Sequence, residues 1–229
     1  IYDTDDKKRL VSMCMKELEI DEKRLSSKVV CNQISAAKDK LQLPDDIDDS
    51  RDPRARDIIQ IYKLYQKRMA EYNAVDFDDI IMLTVKLFEE NPDVLGFYQN
   101  RFRYIMVDEY QDTNHAQYKL VSLMADAHKN LCVVGDDDQS IYRFRGAVPQ
   151  IMLDFEKQFE GCKKVILNVN HRSEPDIVAT SKRLIEKNKI RFDKPLAAHK
   201  LGVFEIDACR RPQWTPCRCY RDLQRLGLA

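Results

Sequence analysis

Two adjacent carboxylates, Asp108 and Glu109, follow the short apolar run Tyr104-Ile105-Met106-Val107 and are the first residues with chemical meaning. A hard divalent cation takes oxygen ligands, and phosphoanhydride hydrolysis needs a second acidic group to orient water, so an Asp-Glu pair at a strand end suits ATP hydrolysis. A solvated acidic turn is the plainer account of the pair taken alone. The next apolar run, Leu131 to Val134, ends in Gly135-Asp136-Asp137-Asp138-Gln139-Ser140-Ile141-Tyr142-Arg143-Phe144-Arg145-Gly146. Three successive carboxylates repel one another unless a cation, a basic partner or water intervenes. Gln139 can sense a phosphate or water without changing charge. Tyr142 and Phe144, interleaved with Arg143 and Arg145, put stacking faces beside cationic forks, a combination suited to single-stranded nucleic acid. Core packing of the aromatics and ion pairing of the arginines with nearby aspartates explain the same residues equally well. A third run, Val165-Ile166-Leu167, leads to Asn168-Val169-Asn170-His171-Arg172-Ser173. There Arg172, just before a helix start, is placed to reach an anion; a surface salt bridge is the alternative.

The elements that must position these residues follow from periodicity. Residues 1 to about 98 read as helices. Asp3 or Thr4 caps the first, whose apolar face is Leu10, Val11, Cys14, Met15 and Leu18. A second carries Val30, Ile34, Ala37 and Leu41, and the acidic, proline-punctuated stretch from Leu43 to Pro53 is a loop. A third presents Ile58, Ile61, Tyr62, Tyr65 and Met69. A fourth, from Phe77, presents Ile80, Ile81, Thr84, Leu87 and Phe88 until Asn91-Pro92 stops it. From residue 100 the pattern changes. Short apolar runs at 104–107, 131–134 and 165–167 alternate with helices over about His115 to Asp126, about Pro149 to Phe159, and after Ser173, which opens a capping-box-like start. Continuous apolar strands alternating with helices predict a parallel sheet covered on both faces, with ligands beyond the carboxyl ends of its strands.

Composition sets outer limits. The chain has 229 residues, 44% hydrophobic and 33% charged, with a formal net charge of zero. That excludes wholesale disorder and leaves any nucleic-acid contact to local placement of charge. Seven cysteines, most of them single within apolar stretches (Cys14, Cys31, Cys132 and Cys162), fit small hydrophobes in a reducing cytosol better than a disulfide framework. No run approaches a membrane span, and the first residues lack a signal-peptide pattern. They also lack an initiator Met, from which a start within a longer protein is expected. From Ala208 to Ala229 the chain holds five Arg, no Lys, the single Trp and three cysteines without Cys-x-x-Cys spacing, and this tail reads as aberrant.

Taken together, Asp-Glu-x-Gln-Asp-Thr-Asn from Asp108, Gly-Asp-x-Asp-Gln-Ser-Ile-Tyr-Arg-x-Arg-Gly-Ala from Gly135, and Asn-x-Arg-Ser from Asn170 resemble motifs II, III and IV of UvrD/PcrA/Rep-type superfamily 1 DNA helicases. Val75-Asp76-Phe77-Asp78-Asp79-Ile80 looks like the segment before the Walker B strand, and residues 1 to about 70 look like the family's helical 1B insertion. The resemblance covers about residues 1 to 200. It implies an α/β fold: a partial RecA-like P-loop NTPase domain, a parallel sheet with flanking helices, preceded by an all-helical insertion subdomain. The expected divisions are 1–98 for the insertion, 99–167 for the C-terminal part of the ATPase domain, and 168–229 for the start of a second motor domain, aberrant after about 205. The implied cofactors are ATP and Mg²⁺. The implied partners are single-stranded and duplex DNA and DNA-repair or replication proteins, in the cytoplasm with the nucleoid, without a membrane.

Residue by residue, the resemblance implies that Asp108 holds Mg²⁺ and Glu109 is the base toward water, supported by Gln111 and Asp112. Gln139 would contact the γ-phosphate; Tyr142, Phe144 and Arg145 would contact single-stranded DNA; Arg172 would be the arginine finger. The family has Trp where this chain has Phe144, which implies a weaker stack. It has Tyr where this chain has His171, the position packing on the nucleotide base, and an imidazole there makes that contact pH-sensitive. None of the six glycines is followed by Lys-Ser/Thr, so the phosphate-binding loop, which the family carries upstream of the insertion, is not among these residues. A 3′ to 5′ helicase fragment without turnover of its own is the expectation. Two rivals stay in view: a metal-dependent nuclease using Glu109, Asp136 and Asp138, and a non-enzymatic DNA-binding module.

Overall fold

The computed structural model describes residues 1–48 and 52–199, with the side chain of Arg145 outside that description. The Arg- and Cys-rich tail lies outside the described residues. The chain divides into two units, Ile1–Phe155 and Glu156–Ala229.

In the first unit the helices start where their caps dictate. Asp3 caps α1 (Thr4–Glu17), its carboxylate accepting from the Asp5 and Asp6 amides while Asp6 reaches back to the Asp3 amide. Ser26 caps α2 (Ser27–Asp39), and Asp52 with Pro53 at the first position opens α3 (Pro53–Glu71). Leu10, Val11, Cys14 and Met15 of α1, Leu25, Val30, Ile34 and Ala37 from the α2 region, and Ile61, Tyr62, Tyr65 and Met69 of α3 form one buried cluster. The expected faces of these three helices are the observed ones, apart from a partly buried Leu18 and Ile58 at the rim and Leu41, which lies past the end of α2, half-buried and outside the cluster.

The fourth helix corrects its expectation. α4 (Phe77–Glu90) buries Asp79, Met82, Val85 and Phe88, while Ile80 and Leu87 are exposed. A buried ion network sets this rotation. Lys38 of α2 has no solvent-exposed side-chain surface, and its Nζ lies 2.8 Å from Asp76 Oδ2 and 2.7 Å from Asp79 Oδ1. Lys7 of α1 reaches Asp76 Oδ2 (3.1 Å) and Asp78 Oδ2 (2.7 Å), and the Tyr65 hydroxyl donates to Asp76 (2.9 Å). Asp76 is the cap and Asp79 the third residue of α4, so both carboxylates must face inward and the apolar residues one turn on follow them. Asn91-Pro92 ends α4 as expected and starts another helix, α5 (Pro92–Arg101), with proline at its first position.

The α/β pattern then appears on a small scale. β1 (Ile105–Val107) and β2 (Leu131–Val133) pair in parallel, Met106 opposite Cys132, joined through α6 (His115–Ala125), which Asn114 caps. The expectation of two covered faces is not met here: Met106 and Cys132 point to an exposed face, while flanking residues are half-buried. The helix expected over 149–159 is divided into α7 (Pro149–Leu153) and α8 (Phe155–Gln158). Tyr2 donates its amide to the Val75 carbonyl (2.8 Å), so the polypeptide enters α1 beside the point where it leaves for α4.

In the second unit, Val165-Ile166-Leu167 is not a strand. The strand is β3 (Val169–Asn170), paired in parallel with β4 (Ala197–Ala198) in a sheet of its own. The 165–167 run has no ladder partner among the described residues, and Val165 and Leu167 are exposed. Ser173 is not a cap. Glu174 precedes α9 (Pro175–Ile185), and the Arg172 and Ser173 amides donate to Asn170 Oδ1 (2.9 and 2.8 Å). The resulting architecture is helix-dominated with small parallel sheets. No described helix is long and apolar enough to cross a membrane.

Candidate functional site

The carboxyl ends of β1 and β2 are drawn together by the backbone: Val134 N donates to Val107 O (2.8 Å), and Tyr110 N donates to Val134 O (2.9 Å). Beyond β1 the chain turns sharply at Glu109, whose φ of +50° is in the left-handed region, costly for a residue with a Cβ. The Asp108 carboxylate accepts from the Glu109 amide (2.9 Å) and steadies the turn.

Gln111 joins the two strand ends. It is almost wholly buried, its Nε2 donates to Glu109 Oε2 (2.7 Å), and its Oε1 accepts from the Asp136 amide (2.9 Å). Ser140 Oγ adds a long contact to the Gln111 carbonyl (3.5 Å). Gly135 makes this bridge sterically feasible. A Cβ there would lie 2.6 Å from Gln111 Oε1 and 3.1 Å from both Met152 Sδ and the Tyr110 amide. After Gly135, Asp136 caps a short 3-10 turn over Asp137–Gln139, accepting from the Asp138 amide (3.1 Å) and from Gln139 Nε2 (2.7 Å).

An open cleft of ≈ 530 Å³ is lined by Glu109, Gln111, Asp112, Asp138, Gln139, Ile141 and Tyr142. Six residues singled out from the sequence therefore share one depression: Glu109, Gln111, Asp112, Asp138, Gln139 and Tyr142. Asp108 is not among its lining residues and sits at the exposed end of β1. Asp112 Oδ1 is buried without a hydrogen-bond partner among the described residues. Asp136, Asp137 and Asp138 bring carboxylate oxygens within 4.8 Å of one another, a grouping that leaves out Glu109.

The aromatic turn follows. Phe144 is 79% exposed, so core packing does not account for it; Tyr142 is 37% exposed. Their ring centroids are 6.0 Å apart at 49°. Arg143 is exposed and pairs with no described carboxylate, whereas the ion-pair account of Arg145 lies outside the described side chains. The turn closes at Gly146, whose φ of +86° suits glycine.

Three residues to which the sequence reading gave no role hold this part together. Asn114 accepts from the Gln117 amide through Oδ1 (2.9 Å) and donates through Nδ2 to Asp39 Oδ1 (2.7 Å). Lys38 anchors the start of α4. Burial pushes the Asp39 carboxyl up to about 6, with Asp78 adding to the effect and Lys7 opposing it. Burial would also raise Asp76, but Lys38 and Lys7 overcome it and hold that carboxyl well below the usual range. Lys38 left one sequence signal, a cation on an otherwise apolar stripe; the contact of Asp39 with Asn114 is too distant in the chain to read.

In the second unit, His171 and Arg172 are both exposed on the loop after β3. The His171 ring lies 4.6 Å, centroid to centroid, from His199. Within that unit no described carboxylate pairs with the Arg172 guanidinium.

Comparison with known proteins gives two results. The family described as UvrD/REP helicase N-terminal domain matches residues 1–160. A curated protein of Staphylococcus epidermidis (strain RP62A), ATP-dependent DNA helicase PcrA, is 43% identical over 207 residues, 90% of this chain and 28% of its own length. Its namesake in Staphylococcus aureus (strain Mu50) is 43% identical over 197 residues, 86% of this chain and 27% of its own length. The chain thus spans less than a third of the curated relatives it matches.

Proposed function

The chain belongs to the UvrD/REP helicase family, and from that premise we propose that it is part of an ATP-dependent DNA helicase that moves 3′ to 5′ on single strands and opens duplex. In this reading residues 1–98 are a helical insertion, 99–167 the C-terminal part of a RecA-like ATPase domain, and 168–229 the start of a second motor domain. The observation that carries it is the Gln111 bridge, which ties the Asp108-Glu109 turn to the Asp136–Gln139 turn at one cleft.

The donor set fits a hard cation. Carboxylates of Asp108 and Glu109 stand at a strand end, and Asp112 presents a buried oxygen without a partner among the described residues. Bound Mg²⁺-ATP supplies the phosphoanhydride that water attacks. Asp108 would hold the cation. Glu109 would orient water and accept its proton at Oε1, because Oε2 is already engaged by Gln111. Gln139, held by Asp136, would sense the γ-phosphate end. Arg172 would neutralise developing charge, and His171 would pack on the nucleotide base. Tyr142, Phe144 and Arg145 would hold single-stranded DNA, stacking and charge together.

The 229 residues contain no glycine-rich loop ending in Lys-Ser/Thr. Positioning by carboxylates alone, without a backbone cradle and its lysine, leaves phosphoryl transfer nearly unassisted. The isolated chain is therefore expected to bind a labelled single-stranded oligonucleotide, more weakly as salt rises, and to turn over ATP no faster than background. Turnover stimulated by single-stranded DNA and lost in Glu109→Gln would overturn the inactivity; absence of oligonucleotide binding would overturn the DNA contact. Mg²⁺- or Mn²⁺-dependent cleavage of DNA, lost in Asp138→Ala, would favour the nuclease reading, to which the close carboxylates of Asp136, Asp137 and Asp138 lend some support.

A further inference from the structure

We propose that Asp39, at the end of α2, positions the Tyr142–Gly146 turn against the start of α6 and so sets where the exposed aromatics stand relative to the cleft. The proposal deepens the DNA-contact reading above and rests on it for its consequence, though not for its geometry.

Each carboxylate oxygen of Asp39 meets a different segment. Oδ1 accepts from Asn114 Nδ2 (2.7 Å). The same Asn114 caps α6 through its other amide atom, so its side chain is held at both ends and its orientation is fixed. Oδ2 lies 2.6 Å from where a Cβ on Gly146 would stand, so the carboxylate rests directly against the backbone that closes the aromatic turn. That turn is self-contained: the Gly146 amide donates to Arg143 O (3.1 Å) and the Ala147 amide to Tyr142 O (3.4 Å). On its far side the Val148 amide donates to Thr113 O (3.0 Å), one residue before Asn114. The C-terminal end of the turn is therefore held to the segment after β1 by the backbone bond at Val148, with the Asp39 carboxylate packed against Gly146 two residues earlier. Asp39 itself cannot drift, because its neighbour Lys38 is locked into Asp76 and Asp79 at the start of α4. Adjacent residues of α2 thus reach two helix starts, that of α4 through Lys38 and that of α6, just after the cleft residue Asp112, through Asp39.

A charge-assisted bond to a half-buried carboxylate is directional, and its loss moves what it holds. Asp39 touches none of the described side chains proposed to meet nucleotide or DNA, so its role is to position them.

The test uses the ¹⁵N-labelled 229-residue chain as it stands, with Asp39→Ala and Asp39→Asn. Resonances of the Asn114 side-chain amide and of the 142–147 backbone report the turn; amides of Ile61 and Val85 report the core; anisotropy of a labelled single-stranded oligonucleotide reports binding. In Asp39→Ala the turn and Asn114 resonances are expected to move while the core resonances stay, and oligonucleotide affinity is expected to fall roughly 3- to 30-fold. Asp39→Asn keeps an oxygen acceptor for Asn114 and is expected to restore both spectrum and affinity. Unmoved turn resonances in Asp39→Ala would overturn the proposal, and so would an Asn variant as perturbed as the Ala variant, since the lost acceptor would then not be the cause. Moved resonances in a chain that binds no oligonucleotide would leave Asp39 as a positioning residue and sink the DNA reading instead.

Discussion

Phe144 is the most exposed aromatic of a turn that closes at Gly146, with its ring beside that of Tyr142 and reachable by a base. Replacing it with alanine is expected to weaken binding of single-stranded DNA by about 1–3 kcal/mol, and Phe144→Trp to strengthen it, because the larger ring offers more stacking area. Fluorescence anisotropy measures both, and unchanged affinity in the alanine variant would mean that the ring touches no base. At this scale the sequence was informative about residue types and silent about partners. Asp108, Glu109, Gln139 and the aromatics stood out by type and spacing. That Gln111 spans from Glu109 to the Asp136 amide did not, since a bridge between two turns depends on how closely β1 and β2 approach. Gly135 is the local clue: a glycine immediately after an apolar run marks a place where something comes close, and here that is Gln111 Oε1.

Among the elements, α1 to α3 were legible because each buries a single apolar stripe. α4 was not, because its rotation follows charge. Of its expected face of Ile80, Ile81, Thr84, Leu87 and Phe88, Phe88 alone is buried, because Asp76 and Asp79 must meet Lys38, and unpairing a buried charge costs about 3–5 kcal/mol, more than burying one further aliphatic side chain gains. The short strand after residue 160 was misplaced for a related reason: an apolar run becomes a strand only where a partner offers a ladder, and the partner of β3 is at 197–198. The same helices carry opposing responses to pH. Asp76 sits below its ordinary value in the folded state, so its stabilising contribution is present above the unfolded carboxylate range near pH 4 and is lost as pH falls through the folded value. Asp39 is raised to about 6, so between about 4 and 6 the folded chain binds the extra proton and gains stability as pH falls. Urea midpoints taken from pH 7 to pH 5 are therefore expected to rise for the native chain relative to Asp39→Asn. Parallel lines for the two proteins would show that Asp39 does not titrate in that window.

Over the whole molecule, buried apolar side chains are unevenly shared. The first unit holds the cluster of α1 to α3 together with the inner face of α4, whereas among the described residues of the second unit Val178 is the one hydrophobic side chain that is buried. Opening free energy tracks such contacts. Hydrogen exchange followed by mass spectrometry is expected to show strong protection in α1 to α4 and little in α9 and the 163–168 segment; equal protection in both units would contradict this. Neither periodicity nor composition marks the place near residue 155 where one compact unit gives way to the next. The bond from the Tyr2 amide to Val75 has a further bearing on how such a chain varies. The helices between these residues form a detour that departs and returns at one spot, already closed by a hydrogen bond. Doubling the length of such a loop adds only about 0.6 kcal/mol of closure entropy, so length changes in the turns of this lobe cost little as long as Lys7, Lys38 and Asp39 keep their places against the starts of α4 and α6.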